Sequence, residues 1–94
     1  MELHENWKSM NEGKWEYHVE GEVKALLDFL ITDAGKFVIR HTEVDPSLEG
    51  KGIGRALLNK SFAYAREHGM KILPICPYAK NVMYNNRDKY GDLL

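Results

Sequence analysis

Three glycines at alternate positions, Gly50, Gly52 and Gly54, lie between a strand-like run and an amphipathic run of this 94-residue chain. A helix that begins at such a point presents unpaired backbone N–H groups and a partial positive charge, which suit a phosphate or pyrophosphate. Glycine also lets the backbone approach an anion closely and adopt positive φ. The glycine run therefore indicates either an anion-binding loop or, more simply, a tight turn from a strand into a helix.

The residues before the glycines have the pattern of β-strands. Trp15, Tyr17 and Val19 alternate with polar residues, and a second period-2 set follows Gly21, which predicts a hairpin joined at that glycine. After the turn signal TDAGK, the run FVIRHTEV is rich in β-branched residues and stops at Asp45-Pro46. The second set of the hairpin consists of Val23, Ala25, Leu27, Phe29 and Ile31.

The residues after the glycines predict a helix over roughly 53–68, with Gly69 as its C-terminal cap. The segment MKILPIC is then a short strand reached by a helical crossover, and we expect it to lie parallel to the strand over residues 37–44. Pro74 lacks a backbone donor and so predicts a break or an edge in that pairing. The apolar stripe of the helix is Leu57, Leu58, Ser61, Phe62 and Ala65.

The last stretch, YAKNVMYNNRDKY, predicts a short closing helix. The chain as a whole is expected to be one α/β (α+β) domain over residues 1–94, with antiparallel strands, a β-α-β crossover and that C-terminal helix.

Charge and composition exclude several kinds of partner. Thirteen basic and fourteen acidic residues give a net charge of -1, so the chain lacks the basic surplus of a nucleic-acid-binding protein. It has no uninterrupted apolar run of the length that a signal peptide or membrane span needs, and we expect a cytoplasmic protein without a membrane partner. A single cysteine and four scattered histidines show no zinc-site spacing. Monomer and dimer are both compatible with the sequence.

Two common nucleotide motifs do not fit the glycine run. The dinucleotide pattern G-x-G-x-x-G fails because Arg55 stands three residues after Gly52. The ATP-binding pattern G-x-x-x-x-G-K-[ST] fails because Lys51 is followed by glycine.

The order strand, turn, x-G-x-G-x-G and helix resembles the coenzyme A pyrophosphate loop of the GCN5-related N-acetyltransferases (GNAT). Their signature, [Gln/Arg]-x-x-Gly-x-[Gly/Ala], falls on residues 49–54, with Glu49 in place of Gln or Arg. HTEV, GKGIGRALL, AREHGMKILPICPY and KYGDLL are similar to the small, single-domain GNAT-like proteins, over about residues 15 to 94. The resemblance implies a trimmed GNAT sheet, acetyl-CoA as the donor, and an amine acceptor that is either a protein or a small amine.

The resemblance also implies which residues hold coenzyme A. Backbone donors around Val44 and Asp45 are expected to hold the thioester and pantetheine. Asn81 is a candidate hydrogen-bond donor to pantetheine, or simply a helix-start residue. Lys51 and Arg55 flank the loop and are candidate phosphate partners, although either is equally ordinary as a surface charge. The loop that would cradle the pyrophosphate consists of Glu49, Gly50, Lys51, Gly52, Ile53 and Gly54.

Three residues are candidates for the chemistry. The resemblance makes Cys76 a candidate nucleophile that accepts the acetyl group first; alternatively, the amine attacks directly and Cys76 lines the pocket. His41 is the candidate base because its ordinary pKa lies near neutrality, or else a structural strand histidine. By the resemblance Tyr84 is the candidate acid for the departing thiolate, with Tyr78 and Tyr90 as competitors and core packing as the alternative.

Three functions of different classes are consistent with these patterns. The first is an acetyl-CoA-dependent N-acetyltransferase, the second a CoA-binding protein with little or no catalysis, and the third a partner-binding domain whose glycine loop only turns the chain. Binding of CoA separates the third from the other two, and acceptor-dependent release of CoA thiol separates the first from the second.

Overall fold

The computed structural model describes residues 2–94, which form one five-stranded sheet with helices. The strands are β1 (Glu2–Ser9), β2 (Glu12–Val19), β3 (Glu22–Ile31), β4 (Lys36–Val44) and β5 (Lys71–Pro74), and they lie side by side in chain order. Strands β1 to β4 are antiparallel, and β5 is parallel to β4. The helices are α1 (Ile53–Glu67), α2 (Pro77–Tyr84) and α3 (Arg87–Tyr90), with 3-10 turns at Pro46–Leu48 and Gly91–Leu93.

This architecture confirms the predicted α/β class and the predicted crossover. Helix α1 connects the parallel strands β4 and β5 and packs against the sheet. The hairpin between β2 and β3 turns at Glu20 and Gly21, both with positive φ, as a two-residue turn between twisted strands requires.

Strand β1 was not predicted, and the reason lies in its exposure. It is an edge strand whose residues are nearly all exposed, so it carries no alternation of buried and exposed residues. Its backbone ladder to β2 holds it in place, and Trp7 packs its ring edge-on against Trp15 and Phe29. Exposed edge strands leave little trace in hydrophobic periodicity, because the backbone rather than the side chains makes their contacts.

The helix ends differ slightly from the prediction. Helix α1 ends at Glu67, and Gly69 adopts the left-handed conformation just beyond it. The N–H of Met70 donates to the carbonyl of Ala65 at 2.8 Å, and the N–H of Gly69 donates to the carbonyl of Arg66 at 3.4 Å. Together these two bonds form a Schellman cap.

Within residues 2–94, no helix is long and apolar enough to cross a membrane.

The predicted closing helix consists of two shorter helices, α2 and α3. Asn86 lies between them with non-helical dihedral angles, and its side-chain amide donates to the carbonyl of Val82 at 2.7 Å. Asparagine competes for backbone hydrogen bonds in this way, so the Asn85-Asn86 pair interrupts the helix.

The core confirms the predicted periodicities of β3 and α1. From Ala25 onward, the period-2 residues of β3 are buried, as is the whole predicted stripe of α1. Ser61, the polar member of that stripe, is fully buried because its hydroxyl accepts from Trp15 Nε1 at 2.9 Å and donates to the carbonyl of Leu57 at 3.2 Å. A polar group so paired is tolerated in a core.

Glu16 should make the stability of this fold depend on pH. Burial alone would raise its pKa, but hydrogen bonds from Asn6 and His18 outweigh burial and hold the pKa of Glu16 below its usual value. A carboxylate with a lowered folded-state pKa contributes stability above the unfolded pKa of about 4.3 and loses it as the pH falls. We expect Glu16→Gln to cost about 1–2 kcal/mol at neutral pH.

Urea denaturation between neutral pH and about pH 3 checks this expectation. The unfolding free energies of wild type and Glu16→Gln should converge as the pH falls, because the protonated carboxyl group of the wild type is then as neutral as the glutamine amide. A constant difference across the range would contradict the role of the ionised carboxylate.

Candidate functional site

The parallel pair of β4 and β5 separates beyond Ile39. Pro74 is the last residue of β5 in register with β4, and the N–H groups of Ile75 and Cys76 both donate to the Ile39 carbonyl, at 3.0 and 3.1 Å. Strand β4 continues to Val44 with β3 on one side and a gap on the other. This is the break that Pro74 predicts, and it opens the sheet between β4 and β5.

The free edge of β4 presents backbone donors to this gap. The N–H of Asp45 donates to the carbonyl of Lys24 across the β3–β4 ladder at 2.8 Å. Because amide groups alternate along a strand, the N–H groups of Val44 and Thr42 point to the opposite edge, toward the gap. Val44 thus offers the predicted donor, whereas the N–H of Asp45 is used within the sheet.

The carboxylate of Asp45 shapes the turn that leads from β4 to the glycine loop. It accepts from the N–H of Ser47 at 2.9 Å and from the Ser47 hydroxyl at 2.6 Å. These two bonds hold the pKa of Asp45 below its usual value, and the carboxylate begins the 3-10 turn Pro46–Leu48. Asp45 therefore acts on the site through the geometry of the loop.

The first turn of α1 has the properties of an anion-binding helix terminus. Gly52 is its N-cap, in the left-handed conformation with φ 77°, and its carbonyl accepts the first helical bond, from Ala56. The preceding N–H groups, of Ile53, Gly54 and Arg55, have no acceptor within the helix. No acidic residue occupies the first turn. A Cβ atom at Gly52 would meet no atom within 4 Å, so the space above the loop is open.

A cleft of about 270 Å³ connects the glycine loop to the free edge of β4. It brings together most of the residues predicted to hold the cofactor, and adds three that were not assigned to it. Its lining residues are Thr42, Val44, Leu48, Glu49, Gly50, Gly52, Ile53, Gly54, Arg55 and Tyr78.

Tyr78 is the tyrosine that the structure places in the cleft. A Cβ atom on Gly54 would lie 3.2 Å from Tyr78 Cε2 and 3.3 Å from its hydroxyl oxygen, so the glycine allows the ring to close on the start of α1. Tyr84, the predicted acid, lies at the other end of α2 beside Arg87 and does not line the cleft. Asn81 is exposed one helical turn after Tyr78 and so shares its side of α2.

Arg55 lies in the wall of the cleft and is held by Tyr90. Its guanidinium donates to the Tyr90 hydroxyl and lies 5.5 Å from the centre of that ring. Burial alone would raise the pKa of Tyr90, but this bond and the charges of Arg55 and Lys89 outweigh burial and lower it. Arg55 Nε is buried and has no hydrogen-bond partner within the described residues. The other predicted phosphate partner, Lys51, is exposed on the loop.

Cys76 lies where β5 ends and α2 begins, at the closed end of the gap. Its side chain is buried, and its thiol donates to the hydroxyl of Thr42 with Sγ and Oγ1 3.6 Å apart. Thr42 in turn lines the cleft. The side chain of Thr42 therefore lies between the thiol and the cleft that begins at the glycine loop.

His41 lies on the opposite face of the sheet from the cleft. Strict alternation from Ile39, which is fully buried, would put His41 on the buried face as well. The register shifts at this point, because Asp28 pairs with His41 and Phe29 pairs with Ile39, which leaves Arg40 as an extra residue. Such a bulge reverses the alternation, so Thr42 faces the cleft and His41 is exposed, with Nε2 3.5 Å from Glu43 Oε1.

The geometry fits coenzyme A. The unpaired N–H groups at the start of α1, beside the side chain of Arg55, suit a pyrophosphate. The N–H groups on the free edge of β4 suit the amides of a pantetheine chain. A family model described as GCN5-related N-acetyl-transferase matches residues 14–93.

The chain belongs to this family. The predicted enzyme class, N-acetyltransferase, and the predicted co-substrate of that class, acetyl-CoA, are thereby confirmed. No curated protein matches the chain by sequence.

Solved structures share the fold. A GCN5-like protein of Staphylococcus aureus is 30% identical, with a TM-score of 0.71 over 98% of this chain and 85% of that one. The ribosomal-protein-S18-alanine N-acetyltransferase of Escherichia coli is 17% identical, with a TM-score of 0.67 over 83% of this chain and 52% of its own. A Bacillus anthracis protein assigned as a streptothricin acetyltransferase, in complex with acetyl coenzyme A, is 15% identical, with a TM-score of 0.65 over 85% of this chain and 48% of its own. The chain thus spans about half the length of the latter two.

Proposed function

We propose that this protein transfers the acetyl group of acetyl-CoA to an amine, with the co-substrate in the cleft between the glycine loop and β4. The observation that carries the proposal is that two sets of unpaired backbone N–H groups face one cleft. One set is at the start of α1 and the other is on the free edge of β4, where Thr42 contacts the Cys76 thiol. The helix terminus would hold the pyrophosphate, and Val44 and Thr42 would bind pantetheine through their N–H groups. Bound acetyl-CoA supplies the activated acetyl thioester.

The acceptor amine, in this proposal, approaches from the face of the sheet opposite the cleft. A lysine-type amine has an ordinary pKa of about 10.4, so it must lose a proton before it attacks. His41 is exposed on that face, one residue from Thr42, and Glu43 lies beside it. His41 would therefore act as the base that takes this proton. Because this face carries His41 and Glu43 side by side, a cationic amine is the acceptor it fits best.

Two routes lead from the thioester to the acetylated amine. In the first, the Cys76 thiol loses its proton to a base and its sulfur bonds to the acetyl carbon. The bond from that carbon to the CoA sulfur breaks, the CoA thiolate takes up a proton, and the amine then displaces Cys76. In the second, the amine attacks the acetyl carbon directly and Cys76 lines the site. The hydrogen bond of the buried thiol to a cleft residue supports the first route.

Intact-mass analysis after exposure to acetyl-CoA distinguishes these routes. Because Cys76 is the single cysteine, we expect one hydroxylamine-sensitive acetyl group on wild type and none on Cys76→Ala. A wild-type protein that stays unmodified without acceptor, yet turns over acetyl-CoA with acceptor, would exclude the covalent route.

The proton donor to the CoA thiolate is tested by a matched pair of tyrosine variants. The geometry favours Tyr78, which lines the cleft, and Tyr84 stays a prediction from the sequence. We expect Tyr78→Phe to lower kcat/KM about 100-fold and Tyr84→Phe to change it less than about twofold. The assay follows release of free CoA thiol from acetyl-CoA with a polyamine or a peptide N-terminus as acceptor.

The same assay tests the function itself. Acceptor-dependent release of CoA thiol by wild type supports the transferase. Saturable CoA binding with no release above background, for every amine offered, would instead support a CoA-binding protein with little or no catalysis. The reverse pattern for the two tyrosine variants would assign the acid to Tyr84.

A further inference from the structure

We propose that Thr42 is a positioning residue for Cys76, and that its hydroxyl stabilises the thiolate form of that cysteine. The inference rests on the proposed function, because it gives the buried thiol a chemical role. It concerns a residue of the cleft for which the sequence indicated no role.

The geometry places Thr42 between the cleft and the thiol. Its side chain lies on the face of β4 that lines the cleft, and its Oγ1 is 3.6 Å from Cys76 Sγ. Cys76 is only 5% exposed, and within residues 2–94 its thiol has no other hydrogen-bond partner. The backbone holds both residues in place, because the N–H of Cys76 donates to the carbonyl of Ile39 on the same strand as Thr42. The thiol and the hydroxyl are thus paired by strand β4 before any ligand binds.

A hydroxyl group suits both protonation states of a thiol. In the neutral state the thiol donates and the threonine oxygen accepts, which is the arrangement in the structure. When the thiol loses its proton, the hydroxyl rotates and donates to the thiolate sulfur, so it holds the sulfur in one position throughout. A hydrogen bond to a charged acceptor is stronger than one between neutral groups, so the hydroxyl favours the thiolate. A buried thiolate without such a donor is disfavoured by desolvation.

Other ionisable groups near the thiol surround the cleft without bonding to the sulfur. Tyr78, Arg55 and Glu49 line the same cleft, and Lys80 follows Cys76 on α2. His41 precedes Thr42 on β4 but faces the opposite side of the sheet. All of these groups are retained when only Thr42 is changed. A change in the thiol titration after substitution of Thr42 therefore reports the hydroxyl group.

The test is an NMR titration of protein labelled with [13Cβ]cysteine, which gives one resonance because the chain has one cysteine. Thr42→Val keeps the shape of the side chain and removes the hydroxyl, and Thr42→Ser keeps the hydroxyl. We expect the titration midpoint of the thiol to move up by about one pH unit in Thr42→Val and to return toward the wild-type value in Thr42→Ser. Urea denaturation at neutral pH serves as the folding control for both variants.

Coincident midpoints for wild type and Thr42→Val would overturn the proposal. A wild-type thiol that stays protonated up to the pH of alkaline unfolding would overturn it as well, since no thiolate would then exist to be stabilised. A serine variant that behaves like valine would show that the methyl group, not the hydroxyl, is what matters. The titration needs no acetyl-CoA, so it succeeds or fails separately from acetyl transfer.

Discussion

Gly52→Glu is expected to weaken binding of CoA at least about 100-fold. Gly52 is the N-cap of α1 and opens onto free space, so a glutamate there points its carboxylate into the region proposed for the pyrophosphate. Two like charges about 4 Å apart repel by about 4 kcal/mol at the effective dielectric constant near a protein surface. Gly54→Glu would be a poorer test, because its side chain would collide with Tyr78 and disturb the fold as well as the charge.

Gly35→Glu is the matched control for this experiment. Gly35 has φ 79°, nearly the φ of Gly52, and likewise has open space where a side chain would stand, but it lies in the turn between β3 and β4. Both variants place a glutamate at a positive φ, which costs about 1–2 kcal/mol in backbone strain, and both add one negative charge. Calorimetric titration should show loss of CoA binding in Gly52→Glu alone. Equal binding by the two variants would contradict a pyrophosphate site at α1.

Phe29→Ala is expected to lower the unfolding free energy by about 3–5 kcal/mol, which is a large part of the total unfolding free energy of a domain of this size. Phe29 is fully buried in β3, and its ring lies 4.4 Å from that of Trp15 and 4.8 Å from that of Phe37, measured between centres. Trp7 packs edge-on against the same ring, so the substitution also loosens β1. Urea denaturation followed by circular dichroism measures the loss.

Leu30→Ala is the control for Phe29→Ala, because Leu30 neighbours Phe29 on β3 and is only half-buried on the other face of the sheet. We expect it to cost about 1 kcal/mol, since its side chain leaves water only in part. Comparable losses of unfolding free energy in the two variants would mean that the main hydrophobic core does not lie on the face of β3 that packs against α1.

Local patterns were sufficient for most of the fold. The burial of β3 and the stripe of α1 follow from periods of 2 and 3.6 residues, and the crossover follows from a strand, a helix and a strand in succession. Strand β1 was not predicted because it is held by backbone hydrogen bonds to β2. An exposed edge strand of this kind has no buried face and therefore no periodic pattern of apolar residues. The break at Asn85-Asn86 agrees with the competition of asparagine for the helical backbone, but its position is known from the structure alone.

The glycine loop, the start of α1 and the break at Pro74 could all be predicted before the structure was known, because each depends on residues adjacent in the chain. The side chains that meet across the cleft could not be predicted in this way, because they are far apart in the chain and folding brings them together. Tyr78 closes on Gly54, and the Cys76 thiol meets Thr42 across 34 positions of sequence. One extra residue in β4 also reversed the side to which His41 points, because side chains alternate with a period of two and a bulge shifts that period by one.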